Sequence, residues 1–313
     1  MNLHIIDTSN YIHAGGSFDK YITRGVRETN GAYEPNKAPI GGVVTLMSNI
    51  RDILAEDPES TIMPVFDRAP TIKREMYANT FGDTHGYKAG RTRTPSLNIP
   101  KQREFAETLL RDAGFVVQAV DEYEADDVIY SLVKYYKDDF DHIYIHTTDS
   151  DLTFLVDAKV SIAPVARGGK VINIYNYATV AERNITIMYN TFMLRKLCAG
   201  DTSDNIPGIG KEWAGLMDSV IPNEAEYAKL GDLDLCRKYL RQVMIDNPGV
   251  RNCERVLSTF NILCPLLVPE DLLNDAEQDI DFERLAYCRT FRKELDRWGL
   301  EDLLRDYIDS YYD

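Results

Sequence analysis

The chain has 313 residues, 44% of them hydrophobic and 27% charged, which is the balance of an ordinary globular protein of one large or two smaller domains. No apolar run reaches the roughly 18 residues that span a bilayer, and "MNLHIIDTSNYIH" lacks the basic start and long apolar core of a signal peptide; a cytoplasmic protein without a membrane partner is expected. Cys198, Cys236, Cys253, Cys264 and Cys288 are scattered with no CxxC pair, which points away from a disulfide framework or a thiolate zinc site. A formal charge of −15 argues against nucleic acid as partner. That average hides a basic segment, because between Arg68 and Arg103 eight Lys and Arg stand against Glu75 and Asp83, a local +6.

In chain order, "NLHII", "TIMPVF", "FVVQAV" and "HIYIHTT" are short, apolar and rich in β-branched or aromatic residues, the signature of buried strands. Helical patterns lie between them at about 40–56, 100–113 and 124–137, so the spacing predicts βαβ units and a mainly parallel sheet. "VSIAPV" and "KVINIY" are expected edge strands around a turn at Gly168–Gly169. A boundary is placed near residue 185. Beyond it "ITIMYNTFMLRKLCAG" reads as a helix ending at Gly200, and helices are expected at about 211–219, 223–229, 232–246, 251–263 and 283–312. The segment 270–281, with six acidic residues and no basic one, reads as a solvated loop.

In an open parallel sheet ligands bind beyond the carboxyl ends of the strands, and acidic residues fall there repeatedly. Asp7 ends "LHIID", Asp67 ends "MPVFD", and Asp149 and Asp151 follow "IYIHTTDSD". "EADD" (Glu124, Asp126, Asp127) opens a helix soon after "FVVQAV". A lone Asp after a strand is usually a helix N-cap or turn residue, and acids in a first turn also favour the macrodipole. One cap, however, needs one carboxylate. All-oxygen donors with no His or Cys among them suit hard ions, Mg²⁺ or Mn²⁺, and two such ions about 4 Å apart serve phosphodiester hydrolysis. A further acidic pair, Asp201 and Asp204, stands in "AGDTSDNIPGIGKEW". There Gly208, Gly210 and Lys211 form a tight turn opening a helix, able to offer N–H groups to a phosphate and carbonyls to a monovalent cation such as K⁺.

Taken together and in this order, Asp7, Asp67, "EADD", "TDSD" and "GDTSDNIPGIGK" resemble the 5′-nuclease family: flap endonucleases, the 5′-nuclease domain of bacterial DNA polymerase I, and stand-alone phage 5′→3′ exonucleases including the phage ribonuclease H type. The match spans most of residues 1–265. The resemblance implies a PIN-like α/β core over 1–185 with a basic helical arch at about 68–103, and an α-helical DNA-binding region with a GIGK helix-turn-helix over 186–313. It implies a first metal site drawing on Asp7, Asp67, Glu124, Asp126 and Asp149, and a second on Asp127, Asp151, Asp201 and Asp204. "DRAPTIKREMY" and "YKAGRTRTP" are similar to the family's arch base. Tyr87 would stack on a nucleobase, Lys88 and Arg91 would meet the scissile phosphate, and Lys73, Arg74 and Arg93 would follow the nucleic acid. Expected partners are DNA with 5′ ends, flaps or nicks, RNA–DNA hybrid, and replication proteins, with the enzyme a monomer; a phage-encoded enzyme would act in the host cytoplasm. Two features depart from the family pattern. "NIPGIG" is compact where a longer double turn is common, and "ANTFGDTHG" separates Met76-Tyr77 from Tyr87-Lys88, so threading of a 5′ end through the arch is not implied.

The other readings are a PIN-type ribonuclease, which shares the acidic core but lacks the arch and the GDTSDN–GIGK junction, and a non-catalytic DNA-junction binder, which would not need every carboxylate. A haloacid-dehalogenase-like phosphatase would need an acid where Ser9 stands. His146 reads as core, and Trp213 as a helix-packing residue.

Overall fold

The structure is a computed structural model that describes residues 1–15, 21–29, 32–39, 41–83, 85–89, 99–163, 196–210, 213, 216, 233–249 and 252–275. In chain order the elements are β1 (Asn2–Asp7), α1 (Thr8–Gly15), β2 (Tyr21–Thr29), β3 (Ala32–Pro39), α2 (Gly41–Glu56), β4 (Thr61–Val65) and α3 (Thr71–Phe81). Then come α4 (Ile99–Asp112), α5 (Ala125–Tyr136), β5 (His142–His146), a 3₁₀ turn over Ser150–Leu155, β6 (Val160–Ala163), β7 (Gly200–Asp201), β8 (Ile206–Pro207), α6 (Leu233–Asp246) and α7 (Cys253–Leu263).

Strands β4, β1, β5 and β6 lie side by side in that order, each pairing parallel. Every residue of β4, and every residue of β1 but the first, is buried, as a sheet covered on both faces requires. Alternation divides the side chains. Ile6 and Ile62 face a layer with Tyr11, Val43, Leu46 and Leu110 of α1, α2 and α4. Leu3, Ile5, Met63 and Val65 face the opposite layer, with Val128 and Leu132 of α5 and Val256 and Phe260 of α7. This is a three-layer α/β/α body, and α6 and α7, from beyond residue 185, pack into the same apolar cluster as the sheet.

Two expectations need correction. "FVVQAV" is not a strand: Gln118 alone bridges Val65, accepting from the Phe66 N–H (2.9 Å) and donating to the Pro64 carbonyl (2.8 Å). The Gln118 side chain is instead tied to the Asn274 backbone at 2.7 and 3.0 Å, so the segment leaves the sheet after one pairing. An antiparallel hairpin, β2–β3, was not foreseen; its register breaks between Thr23 and Val26, around Gly25, and that break together with Pro35 interrupts the period-two pattern. "KVINIY" and the expected helices at 223–229 and 283–312 lie outside the described residues. No described helix is long and apolar enough to cross a membrane.

The helix expected to run to Gly200 is followed by a hairpin of two very short strands, β7 and β8, across "GDTSDNIP". Gly200 sits at φ +86°, and a Cβ on Gly208 would lie 2.3 Å from the Cys198 carbonyl oxygen. The Ala199 carbonyl carbon and oxygen would lie at 2.6 and 2.8 Å, so all three atoms that would have to yield belong to the backbone. Gly208→Ala is therefore expected to cost about 1–3 kcal/mol, seen as a lowered thermal midpoint; an unchanged midpoint would mean the hairpin is not held this tightly.

Candidate active site

β1 has β4 on one side and β5 on the other, so connections leave it in both directions and open a crevice at its carboxyl end. Asp7, the last residue of β1, pairs in register with Val65. Asp67 follows Val65 by two residues, Asp149 follows β5 by three, and Asp126 sits in the first turn of α5. Asp7 is 5% exposed. Its Oδ2 accepts from Thr147 Oγ1 at 2.9 Å and from the Asn10 side chain one turn into α1, while its buried Oδ1 has no hydrogen-bond partner. Asp67 accepts from the Ala125 N–H at 2.9 Å, capping α5 from outside, and from Ser9 Oγ at 2.5 Å. Burial, then the charges of Asp67 and Asp149, push the Asp7 carboxyl up to about 7. Burial and the charges of Asp149 and Asp7 raise Asp126, and burial with Asp151 raises Asp149. This group carries more negative charge than its surroundings balance.

Its neighbours are balanced by lysines. Glu124 bonds Lys88, accepts from the Tyr87 hydroxyl at 2.8 Å and lies 3.4 Å from Lys73. Burial alone would raise Glu124, but Lys73 and Lys88 outweigh it and hold the carboxyl at about 2. Lys196, in the helical segment before Gly200, bridges Asp151 and Asp201, with 2.6 Å to Asp201 Oδ2. Asp201 also accepts from the backbone N–H of Ser203 and of Asp204. Lys88 lies 3.7 Å from Asp204, whose carbonyl accepts its backbone N–H. One cleft joins these groups, with Lys73, Tyr87, Glu124, Asp126, Asp151 and Lys196 along it.

Several residues serve differently from the sequence expectation. Lys73 is 4% exposed and lies 2.8 Å from Asp127, so it closes a buried ion pair rather than tracking nucleic acid. Asp127 forms a reciprocal capping box with Glu124, and its other oxygen accepts from the Leu266 N–H at 2.7 Å, which leaves it a structural anchor. Capping thus accounts for two of the three acids of "EADD". Tyr87 is 5% exposed, packed on Tyr77 and bonded to Glu124, and so presents no face for a nucleobase. In the glycine turn the N–H groups of Ile209 and Gly210 donate to the Leu197 and Cys198 carbonyls, and are not offered to a phosphate. Arg74 is exposed on α3; Arg91, Arg93 and Lys211 lie outside the described residues. Asn10 and Thr147, beside Asp7, were not foreseen from sequence, and Ser9 and Arg103 were named there without this role beside Asp67. The signal available was the spacing of Asn10, three residues beyond Asp7 on the opening turn of a helix.

Among the described residues no three His, Cys, Asp or Glu side chains stand as a ready-made cage for an ion, and Lys73, Lys88 and Lys196 thread between the carboxylates. The Asp7 group nevertheless fits a hard divalent cation. Its donors are all oxygen, its charge is only partly compensated, with Arg103 3.7 Å from Asp67, and Asp7 Oδ1 is a buried acceptor with nothing to accept from.

A parallel α/β sheet with acids massed at its carboxyl edge defines a resolvase-like core. The family described as 5′-3′ exonuclease, N-terminal resolvase-like domain, matches residues 2–184, and the chain belongs to that family. It is 26% identical over 247 residues to the 5′-3′ exonuclease of Mycoplasma pneumoniae, covering 77% of each chain. It is 32% identical over 187 residues to DNA polymerase I of Chloroflexus aurantiacus, covering 59% of this chain and only 18% of the polymerase. In fold it is similar to the bacteriophage T5 D15 flap endonuclease, solved with DNA and metal ions, at a TM-score of 0.54 and 17% identity over 99% of this chain and 97% of that one. The catalytic core of Rad2 in complex with DNA substrate is similar at a TM-score of 0.53 and 14% identity, over 97% and 92%.

Proposed function

We propose that this protein is a divalent-metal-dependent, structure-selective 5′ nuclease that hydrolyses phosphodiester bonds at 5′ ends, flaps and nicks in DNA, with RNA–DNA primers as a further substrate. The observation that carries this is the convergence of Asp7, Asp67, Asp126 and Asp149 from different elements on one sheet edge, with Asp7 Oδ1 unpartnered and burial and mutual repulsion raising Asp7, Asp126 and Asp149. The activity of the mycoplasmal relative and the DNA and metal ions bound to the phage endonuclease support the same reading.

Asp7, Asp67, Asp126 and Asp149 would hold the first cation, Mg²⁺ or Mn²⁺, and Asp151, Asp201 and Asp204 would serve a second. Bound there, such ions make an attacking water more acidic and neutralise charge on the phosphate. The chain's own groups do the rest. Thr147 and Asn10 fix the Asp7 carboxylate through one oxygen and leave its second, buried oxygen without a hydrogen-bond partner. Ser9 and the Ala125 N–H fix Asp67. Glu124 and Asp204 hold the Lys88 ammonium beside the carboxylates, where it can meet charge developing on a phosphate. The helical region beyond residue 186 would carry the duplex.

The test uses a 5′-labelled flap, a nicked duplex, a blunt duplex and an RNA strand, each with Mg²⁺, with EDTA, and with Asp149→Asn. Cleavage near the flap junction or nick is expected, lost in EDTA and reduced at least about 100-fold in the variant. Binding without cleavage under every condition would replace the nuclease by a junction binder, and cleavage of single-stranded RNA alone would select a PIN-type ribonuclease.

A further inference from the structure

Among the described residues three buried polar atoms have no hydrogen-bond partner; one of them, Asp201 Oδ2, has the Lys196 ammonium 2.6 Å away, and the other two are of opposite kinds. One is the acceptor Asp7 Oδ1; the other is the donor Nε of Arg103, in the first turns of α4. Both belong to the surroundings of Asp67: Arg103 Nη2 lies 3.7 Å from Asp67 Oδ2 and 3.2 Å from Ser9 Oγ, which itself donates to Asp67. A buried unsatisfied donor or acceptor is costly, and native structures keep few of them. An acceptor lacking a cation and a donor lacking an anion, on two residues close to the Asp67 carboxylate, describe a site for a cation and an anion bound together.

The geometry points to Arg103 as a phosphate-binding residue of the reaction, engaging a phosphodiester oxygen of the substrate on the α4 side of the carboxylate group. The inference rests on the nuclease reading and adds a contact to it. Three features of the chain place the guanidinium for this. The preceding residue, Gln102, is 2% exposed and accepts from the Gly42 N–H at 2.8 Å, which pins the start of α4 to the start of α2. A Cβ on Gly42 would lie 2.9 Å from that Gln102 oxygen and 2.5 Å from the Ile12 carbonyl, so the contact leaves no slack. The Arg103 side chain is 27% exposed, so the guanidinium is partly sunk and partly open to solvent.

The chemistry of arginine suits the task. A guanidinium presents its donors as a planar fork that matches two oxygens of one phosphate. In the described structure the fork touches Asp67 only at long range and leaves Nε unused. A cation drawing on Asp67 would weaken that long contact, turning the fork towards the anion that arrives with it. Arg103 also differs from the other cations of the site: Lys73, Lys88 and Lys196 each hold a carboxylate at 2.8 Å or closer, whereas among the described residues Arg103 meets Ser9 at 3.2 Å and Asp67 at 3.7 Å.

The experiment is a cycle between residue and substrate. Single-turnover cleavage of a 5′ flap in Mg²⁺ is measured for wild type, Arg103→Gln and Arg103→Lys, on substrates in which each linkage around the cleaved one is replaced in turn by a neutral methylphosphonate. Binding of Mg²⁺ alone is followed through the thermal midpoint. Arg103→Gln is expected to cleave the natural substrate about 100-fold more slowly, with Mg²⁺ binding undiminished, and to lose the methylphosphonate penalty at one linkage that wild type shows. Arg103→Lys, which keeps charge but not the fork, is expected to recover part of the rate, and it carries the test should the Gln variant fail to fold. Equal methylphosphonate penalties in wild type and variants at every linkage would overturn the inference, as would a loss confined to Mg²⁺ binding, which would make Arg103 a support for Asp67. Absence of wild-type cleavage would instead overturn the nuclease reading on which the inference stands.

Discussion

Asp7→Asn is expected to abolish cleavage and at the same time to make the metal-free protein more stable. The loss follows from removing an anionic charge from the proposed cation site: metal ions supply several kcal/mol of charge stabilisation, each 1.36 kcal/mol is tenfold, and the rate should fall on the order of 10³-fold. The gain follows from the carboxyl's environment. Burial and the neighbouring charges of Asp67 and Asp149 lift Asp7 from 3.8 to about 7. Because the folded value lies above the unfolded one, ionisation of Asp7 works against folding. The penalty is absent below about pH 4, grows as the pH rises, and is complete above about pH 7. Three pKa units correspond to about 4 kcal/mol, of which about 1–3 kcal/mol should be recovered by the amide, since its oxygen can keep the Thr147 and Asn10 bonds. In EDTA the melting curve of Asp7→Asn should therefore lie several degrees above wild type at pH 8 and converge with it near pH 4. Adding Mg²⁺ should raise the wild-type midpoint and leave the variant unmoved. A variant less stable at every pH, beside a wild type indifferent to Mg²⁺, would make Asp7 a structural residue.

The elements that position this site were legible because their physics is local and repetitive. β1, β4 and β5 are short apolar runs buried on both faces, and strands so buried, alternating with amphipathic helices, admit few arrangements other than a parallel sheet. Acids at strand ends then fall on one edge whatever the details of packing, which is why Asp7, Asp67 and Asp149 could be placed together from their positions alone. What sequence could not show was how charges of opposite sign pair across the fold. Lys73 and Asp127 are 54 positions apart in the chain, and nothing local marks Lys73 as buried; in a basic stretch it reads like its neighbour Arg74, which is exposed. Tyr87 and Glu124 are a similar case, a hydroxyl and a carboxylate that meet only when the loop after α3 reaches the start of α5. The β2–β3 hairpin was hidden for a different reason, a register break and prolines that disturb the period of two. The capping box of α5 was half legible: the acids of a first turn were recognised, but the reciprocal bond that occupies two of them was not.

The buried Lys73 yields the other large expected effect. In Lys73→Ala the carboxylates of Asp127, 1% exposed, and Glu124, 6% exposed, lose the cation that lies 2.8 and 3.4 Å from them. Breaking a buried pair by removing one partner costs about 3–5 kcal/mol, because the remaining charge cannot return to water. The damage should spread, since Asp127 caps α5 and holds the backbone at Leu266. A fall of roughly 10 °C in the thermal midpoint is expected at neutral pH. Glu124 is held at about 2 in the folded protein, with Lys73 and Lys88 outweighing burial. Its folded value lies below the unfolded one, so its contribution to stability is full above the unfolded value of about 4.5 and is lost as the pH falls through about 2. The gap between wild type and Lys73→Ala should accordingly be widest above about pH 5 and narrow towards pH 2. A lysine serving as a DNA contact behaves otherwise. Its removal leaves the midpoint within about 0.5 kcal/mol of wild type and lowers the salt slope of DNA binding by about one. Melting curves and a salt titration on one variant thus separate the two roles. A large pH-dependent loss of stability would show that the basic segment spends part of its charge inside the protein, leaving Lys88, Arg103 and the exposed Arg74 and Lys101 among its described cations to meet nucleic acid.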